Sequence, residues 1–261
     1  MNIGIIGLGV LGTAYKSGFL KWGHNVLTYD IKGKYYFENI LNSKIVFICV
    51  PSPSKKNGEC DTSIVDSVIK KLNNFKYKGV VVIASTVKIG FTRKAIKSYR
   101  KLSICCVPEM LKERSSKKDF LENKIIVVGT EDKFLFNQVK KCFKNKIFHM
   151  VKTEEAEIFK YFNNCYAALR VVFANIFYEI TKKTNSDYKK IKDIYITTGK
   201  AIDLYLNVNK KLRGYAGMCL PKDVNALNQF MIEKKIRFNL IKHINLDNKK
   251  LRKTVFKGMR K

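Results

Sequence analysis

Residues 2–16 pass from an apolar, β-branched run into a helical pattern through three glycines, Gly7-Leu8-Gly9-Val10-Leu11-Gly12. No other feature of the chain restricts its fold as tightly. In a G-x-G-x-x-G turn between strand and helix, the first glycine makes the tight turn. The second lets the backbone approach a pyrophosphate, and the third lets helix and strand pack closely. The positive end of the helix, with Val10 and Leu11 in its first turn, then faces the phosphates. Asp30 stands 18 residues beyond Gly12 at the end of the next apolar run. A carboxylate there accepts hydrogen bonds from a ribose 2′-hydroxyl and repels a 2′-phosphate, which favours NAD over NADP. Lys32 and Lys34 nearby weaken that preference. The alternative, a glycine turn without a ligand, leaves the position of Asp30 unexplained.

The first 150 residues alternate between short apolar runs and amphipathic stretches. Strands are expected at Asn2–Gly7, Val26–Asp30, Ile45–Val50, Val80–Ser85, Ser103–Val107, Lys124–Gly129 and Lys146–Met150, with helices at Ser63–Leu72 and Lys133–Phe143. Runs apolar throughout suit a parallel sheet covered on both faces, so the pattern predicts a Rossmann-like, doubly wound α/β domain with a mainly parallel sheet. After Val151 the pattern becomes helical. One long helix is expected over Thr153–Lys183, opened by Thr153 and the acidic Glu154, Glu155 and Glu157, and closed by Lys182 and Lys183. Its centre is apolar nearly all round, which suits either a core helix or one shared with a second copy in a homodimer. Further helices are expected at Asp187–Thr198, Asp223–Lys234 and Phe238–Lys253. The organisation read from this is a nucleotide-binding domain over 1–150 and an all-helical dimerisation and catalytic domain over 151–261.

The chain carries 51 basic and 21 acidic residues, a net charge of +30. Only eight of the basic residues are Arg, and the lysines are scattered along the whole length. Readers of nucleic acid favour Arg for its bidentate fork, so a solvated lysine surface is the preferred reading, and it would attract an anionic small substrate. No apolar run approaches the ~20 residues of a membrane-spanning helix. The N-terminus shows no basic leader, and seven cysteines without a C-x-x-C pair argue against a disulfide framework or a zinc site. A cytoplasmic protein without a metal is expected. His24, His149 and His243 are assigned no role.

Gly214-Tyr215-Ala216-Gly217-Met218-Cys219-Leu220-Pro221-Lys222-Asp223 is the second informative segment. Pro221 suits the first turn of a helix, which places Cys219 just ahead of its positive end. Lys222 adds positive charge, and both effects favour a thiolate. Cys49, Cys105, Cys106, Cys142 and Cys165 read instead as buried filler.

Together these residues resemble the UDP-glucose/GDP-mannose dehydrogenases, whose mark is G-[FY]-G-G-x-C-[LF]-P-K-D. Other matches follow in the family's order: Val50-Pro51-Ser52-Pro53, Ser85-Thr86-Val87, Pro108-Glu109-Met110-Leu111-Lys112-Glu113, Glu157-x-x-Lys160-x-x-x-Asn164 and Ala174-Asn175. The resemblance implies NAD-dependent, four-electron oxidation of the C6 alcohol of a nucleotide sugar, UDP-glucose to UDP-glucuronate, through a cysteine thiohemiacetal and thioester. It assigns the nucleophile to Cys219, the oxyanion to Lys160 and Asn164, and the hydrolytic water to Asp223 and Thr86. Glu109 or Glu113 would assist proton transfers. It adds Val50, Pro51, Ser85 and Thr86 to the cofactor site. A substrate site would comprise Glu109, Met110, Leu111, Lys160, Asn164, Arg213, Gly214, Tyr215 and Gly217. Read without the family, Lys160 is a surface lysine, and Glu109 and Glu113 are capping or ion-pairing residues.

Two departures stand out. Ala216 replaces a family glycine, and if that position requires φ > 0 the loop is strained by roughly 1 kcal/mol or more. The family's third, nucleotide-gripping domain has no counterpart within these 261 residues, so a compact form with weak nucleotide binding is expected. The same chemistry on GDP-mannose or another sugar, and an NAD-binding dimeric remnant without catalysis, are the competing readings. A nucleic-acid-binding role stands as a third.

Overall fold

A computed structural model describes residues 1–33, 35–209, 211 and 213–251. Lys34 and the last two residues of the helix expected at Phe238–Lys253 lie outside these described residues. The chain forms two compact units: Met1–Lys55 with Cys60–Lys160, and Lys56–Glu59 with the chain from Tyr161 on.

The first unit is the Rossmann-like domain. Its strands are β1 (Asn2–Ile6), β2 (Asn25–Tyr29), β3 (Ile45–Ile48), β4 (Val80–Ile83), β5 (Ser103–Cys106), β6 (Ile125–Gly129) and β7 (Ile147–Val151). They form one sheet in the order β2-β1-β3-β4-β5-β6-β7. All neighbours run parallel except β5 and β6, which meet antiparallel where Cys106 stands opposite Gly129. The chain leaves β1 towards β2 and returns to pair β3 on the other side, so the switch point of the sheet lies between β1 and β3.

Side-chain alternation divides the core in two. Ile45, Phe47, Val80 and Val82 face one apolar cluster, whereas Val46, Ile48, Val81 and Ile83 face the other. Central strands therefore read as unbroken apolar runs, because each face needs its own set of side chains. Helices α1 (Val10–Lys21), α4 (Ser116–Glu122) and α5 (Lys133–Lys140) supply Tyr15, Phe19, Phe120 and Leu135 to the first cluster. Helices α2 (Ser63–Asn74) and α3 (Phe91–Ser98) supply Val65, Ile69, Phe91 and Ala95 to the second. The α3 and α4 helices were not expected from the sequence. They have eight and seven residues, shorter than the stretch of about 11 residues over which a helical pattern is told from a short apolar run. A 3₁₀ segment at Phe37–Asn42 adds Phe37 and Ile40.

The α6 helix is a single run of 31 residues, Thr153–Lys183, whose first two turns belong to the first unit. The second unit is helical, with the remainder of α6, α7 (Tyr188–Thr197), α8 (Leu220–Glu233) and α9 (Leu240–Leu251). Cys165, Ala168, Val172, Tyr215, Val224 and Ile244 form its core. The α8 helix starts three residues earlier than expected because Pro221 lies inside its first turn, where its missing N–H costs nothing. No helix among the described residues is long and apolar enough to cross a membrane.

Candidate active site

At the switch point of the first unit, Gly7 takes φ +94°, and a Cβ there would come within 2.8 Å of the Cys49 carbonyl oxygen. The ends of β1 and β3 thus approach too closely for any side chain. A Cβ on Gly12 would run into the Gly7 carbonyl, whereas one on Gly9 would meet nothing within 4 Å. The loop is therefore packed on its inner side and open at Gly9. The α1 helix begins there without a side-chain cap and without an acidic residue in its first turn, which leaves its positive end to an anion. Asp30 closes the cradle. Its Oδ2 accepts the Leu8 N–H at 2.6 Å and its Oδ1 the Lys32 N–H at 2.9 Å. Each carboxylate oxygen retains acceptor capacity for a hydroxyl group. A dinucleotide fits these residues: a bare, uncapped helix end for diphosphate beside an oriented carboxylate for ribose. Nearby, the Ser85 hydroxyl donates to the Val50 carbonyl at 2.7 Å and the Ile48 carbonyl at 3.1 Å, tying together two loops assigned to the cofactor. Pro51 is exposed.

Lys160, Thr86, Ser85, Pro108 and Glu157 line one small recess in this unit. Lys160 is 9% exposed, and it and Lys192 are the buried lysines among the described residues. The surface-lysine reading therefore does not hold. Its Nζ donates to the Glu109 carbonyl. The Glu109 carboxylate is buried, accepting from the Tyr15 hydroxyl and from the Met110 N–H, both at 2.8 Å. Burial pushes the Glu109 carboxyl and, further, the Tyr15 hydroxyl above their ordinary values. Leu111 packs on the first apolar cluster, and Glu113 is exposed. Glu157, read from the sequence as part of the acidic start of its own helix, caps a different one. Its oxygens accept the Gly90 N–H at 2.5 Å and the Thr92 N–H at 2.8 Å, at the start of α3.

In the second unit Cys219 is the exposed N-cap residue of α8, the other six cysteines being buried. Burial lifts the thiols of Cys49, Cys105, Cys106, Cys142 and Cys165 above their ordinary value, Cys165 to about 12 with the Asp223 charge assisting. The Cys219 carbonyl accepts the Asp223 N–H at 2.9 Å, so nucleophile candidate and carboxylate are one helical turn apart. Asp223 is fully buried; its Oδ2 accepts from Asn164 Nδ2 and its Oδ1 from Lys222 Nζ, each at 2.6 Å. The structure thus joins Cys219, Asp223 and Asn164, and Lys222 serves the carboxylate. Ala216 is absent from the residues with positive φ, while Gly214 and Gly217 have φ of +76° and +81°. The alanine carries no strain.

Arg213 is turned onto α6. Its Nε donates to Asn175 Oδ1 and its Nη1 pairs with Glu179, both at 2.5 Å, and its guanidinium stacks on Tyr178. Tyr215 is held by Asn245 and Asn248 of α9. Sequence reasoning missed both asparagines, as it missed Tyr15. One signal was present for Asn248: it continues the apolar stripe Ile241-Ile244 at helical spacing, where a poor helix former needs a reason to sit.

A mainly parallel sheet with an anion-ready helix end at its switch point defines a dinucleotide-binding α/β protein with a helical second unit. Residues 32–147 match the UDP-glucose/GDP-mannose dehydrogenase family, NAD binding domain, and residues 154–250 match the central domain of the same family. The chain belongs to this family, and the nucleotide its first unit takes is NAD. It is 29% identical over 225 residues to a UDP-glucose 6-dehydrogenase of Rickettsia prowazekii, covering 82% of this chain and 51% of the relative. To a GDP-mannose 6-dehydrogenase of Pseudomonas aeruginosa it is 28% identical, over 72% of this chain and 47% of the relative. The chain spans about half the length of these curated relatives. The fold is shared with a UDP-glucose dehydrogenase from the archaeon Pyrobaculum islandicum at a TM-score of 0.87 and 22% identity, covering 95% of this chain and 68% of that one.

Proposed function

We propose that this chain carries the NAD-binding and catalytic domains of a nucleotide-sugar 6-dehydrogenase that converts UDP-glucose to UDP-glucuronate. The observation that carries this reading is the placement of Cys219. It is an exposed thiol at the N-terminus of α8, one turn from a fully buried carboxylate whose oxygens both accept hydrogen bonds, from Asn164 and Lys222. A cysteine serving only as filler needs no such support.

NAD, bound across Gly7–Gly12, supplies the two-electron acceptor, used twice per substrate. The C6 alcohol first loses a hydride to one NAD and a proton to solvent to become the aldehyde. The Cys219 thiolate Sγ then bonds to C6 as the C=O π bond opens, and the oxygen takes up a proton to give a thiohemiacetal. With NAD bound, that carbon would give up a hydride to it and the hydroxyl a proton to solvent, which leaves a thioester. Water then cleaves the S–C bond, releasing the carboxylate and restoring the thiol. Lys160 and Asn164, one turn apart on α6, are assigned to the oxyanion. Each has donors to spare, since Lys160 Nζ gives one hydrogen to Glu109 and Asn164 Nδ2 gives one to Asp223. Asp223 is assigned to the hydrolytic water. GDP-mannose is the second candidate, supported by similarity to an enzyme named for it.

The working form is proposed to be a homodimer built on α6, whose Phe162, Tyr166, Phe173, Ile176, Phe177 and Ile180 remain exposed. NADH and acid product are expected near two to one with UDP-glucose. Cys219→Ala is expected to bind NAD as the parent does and to make no acid. Acid formation by that variant, followed by mass spectrometry, would remove the centre of the assignment.

A further inference from the structure

The loop that delivers Cys219 contains two glycines in the left-handed region, Gly214 and Gly217, and glycine hinges give a loop many conformations. Tyr215, between them, is nevertheless fixed at three atoms. Asn248 Oδ1 accepts the Tyr215 N–H at 2.7 Å, and Asn248 Nδ2 donates to the Tyr215 carbonyl at 2.9 Å. One amide side chain thus satisfies both backbone groups of Tyr215, as a neighbouring strand would. The Tyr215 hydroxyl donates to Asn245 Oδ1 at 2.5 Å, and Asn245 Nδ2 continues to Asn225 Oδ1 of α8, also at 2.5 Å. Asn248 is 3% exposed and the Tyr215 ring 4%. A buried asparagine with both ends satisfied by one residue of a loop has its geometry set by that loop, and the reverse.

We infer that Asn248, seconded by Asn245, is a positioning residue that sets where Cys219 stands. The loop is fixed upstream of the thiol by α9 at Tyr215, and downstream by the start of α8, where Asp223 donates to the Cys219 carbonyl. Tyr215 in consequence is a strut of the loop, its hydroxyl engaged by α9. The inference rests on the cysteine chemistry proposed above.

The test uses the full chain as wild type, Cys219→Ala, Asn248→Ala and Asn245→Ala. It reads NADH formation and, separately, the rate at which iodoacetamide alkylates Cys219, identified by peptide mass spectrometry. Asn248→Ala is expected to lower kcat by roughly 10- to 100-fold, the scale of a misplaced reacting group. The KM for NAD should stay within about twofold. Alkylation at Cys219 should change several-fold, because thiol exposure and orientation follow the loop. Asn245→Ala should move both readouts the same way by less. A folded Asn248→Ala with parental kcat and parental alkylation overturns the inference. If Asn248→Ala does not fold, Asn245→Ala decides by the same two readouts. Acid made by Cys219→Ala would instead overturn the cysteine reading, a failure seen in a different protein from the one that tests Asn248.

Discussion

Asp30 and Glu109 are both carboxylates that accept backbone N–H groups, yet burial separates them. Asp30 is half-buried beside an open helix end, and its charge remains useful to a ligand. Replacing it with Ala is expected to weaken NAD far more than NADP, because the hydroxyl acceptor and the repulsion of a 2′-phosphate disappear together. Equal losses, measured by titration with both nucleotides, would reduce Asp30 to a loop anchor. Glu109 is closed in against Tyr15, and burial raises its carboxyl above the ordinary value of 4.5. A group raised on folding favours the protonated native state. Its contribution is intact below the unfolded value and is lost as pH climbs through the raised one. The unfolding free energy of Glu109→Gln should therefore gain on that of wild type as pH rises from below the ordinary carboxylate value of 4.5 upward. A difference that stays flat in urea titrations across that range would contradict the burial argument. The sequence announced Asp30 through its distance from the glycines. It could not announce the Tyr15–Glu109 bond, because partners 94 residues apart leave no local pattern.

The strands were legible at the level of elements because each central one is apolar on both faces, and only a sheet covered on both sides produces that pattern. The short α3 helix was not, and its capping explains why it can exist. Gly90 starts it in a left-handed conformation and offers no side chain, so the first N–H groups depend on Glu157 of α6. Glu157 is 4% exposed, which keeps water from replacing it. Glu157→Ala is expected to cost about 1–3 kcal/mol, the usual penalty for buried donors left without acceptors. Glu157→Gln, which retains one acceptor oxygen, should cost less. Thermal unfolding of the two variants measures the order, and equal stability in both would show that other groups cap α3. The E-x-x-K-x-x-x-N spacing on α6 thus mixes a residue that holds the fold with residues assigned to chemistry. Spacing alone does not separate them.

For the whole molecule, the sequence left open whether α6 is apolar for its own core or for a second copy. Along it Ala167, Ala168, Val172 and Ala174 are buried, and a row from Phe162 to Ile180 is exposed. Small residues inward and aromatic ones outward suit a helix that packs closely within its unit and offers its bulk elsewhere. Phe173→Asp, at the middle of the exposed row, is expected to shift sedimentation from dimer to monomer at micromolar concentration without lowering the melting temperature of the monomer. A wild-type chain that sediments as a monomer would remove the proposal. The reversal of direction between β5 and β6 has a consequence for cooperativity. The five strands from β2 to β5 form one parallel block, and β6 with β7 forms a two-stranded ribbon joined to it where Cys106 faces Gly129. A seam of one backbone rung is the narrowest junction between neighbouring strands of this sheet, and local opening follows the junction with the fewest backbone bonds to break. Amide protons of β6 and β7 should then exchange through an opening smaller than global unfolding. The Cys106 thiol, sealed in the native sheet, becomes a built-in reporter of that opening.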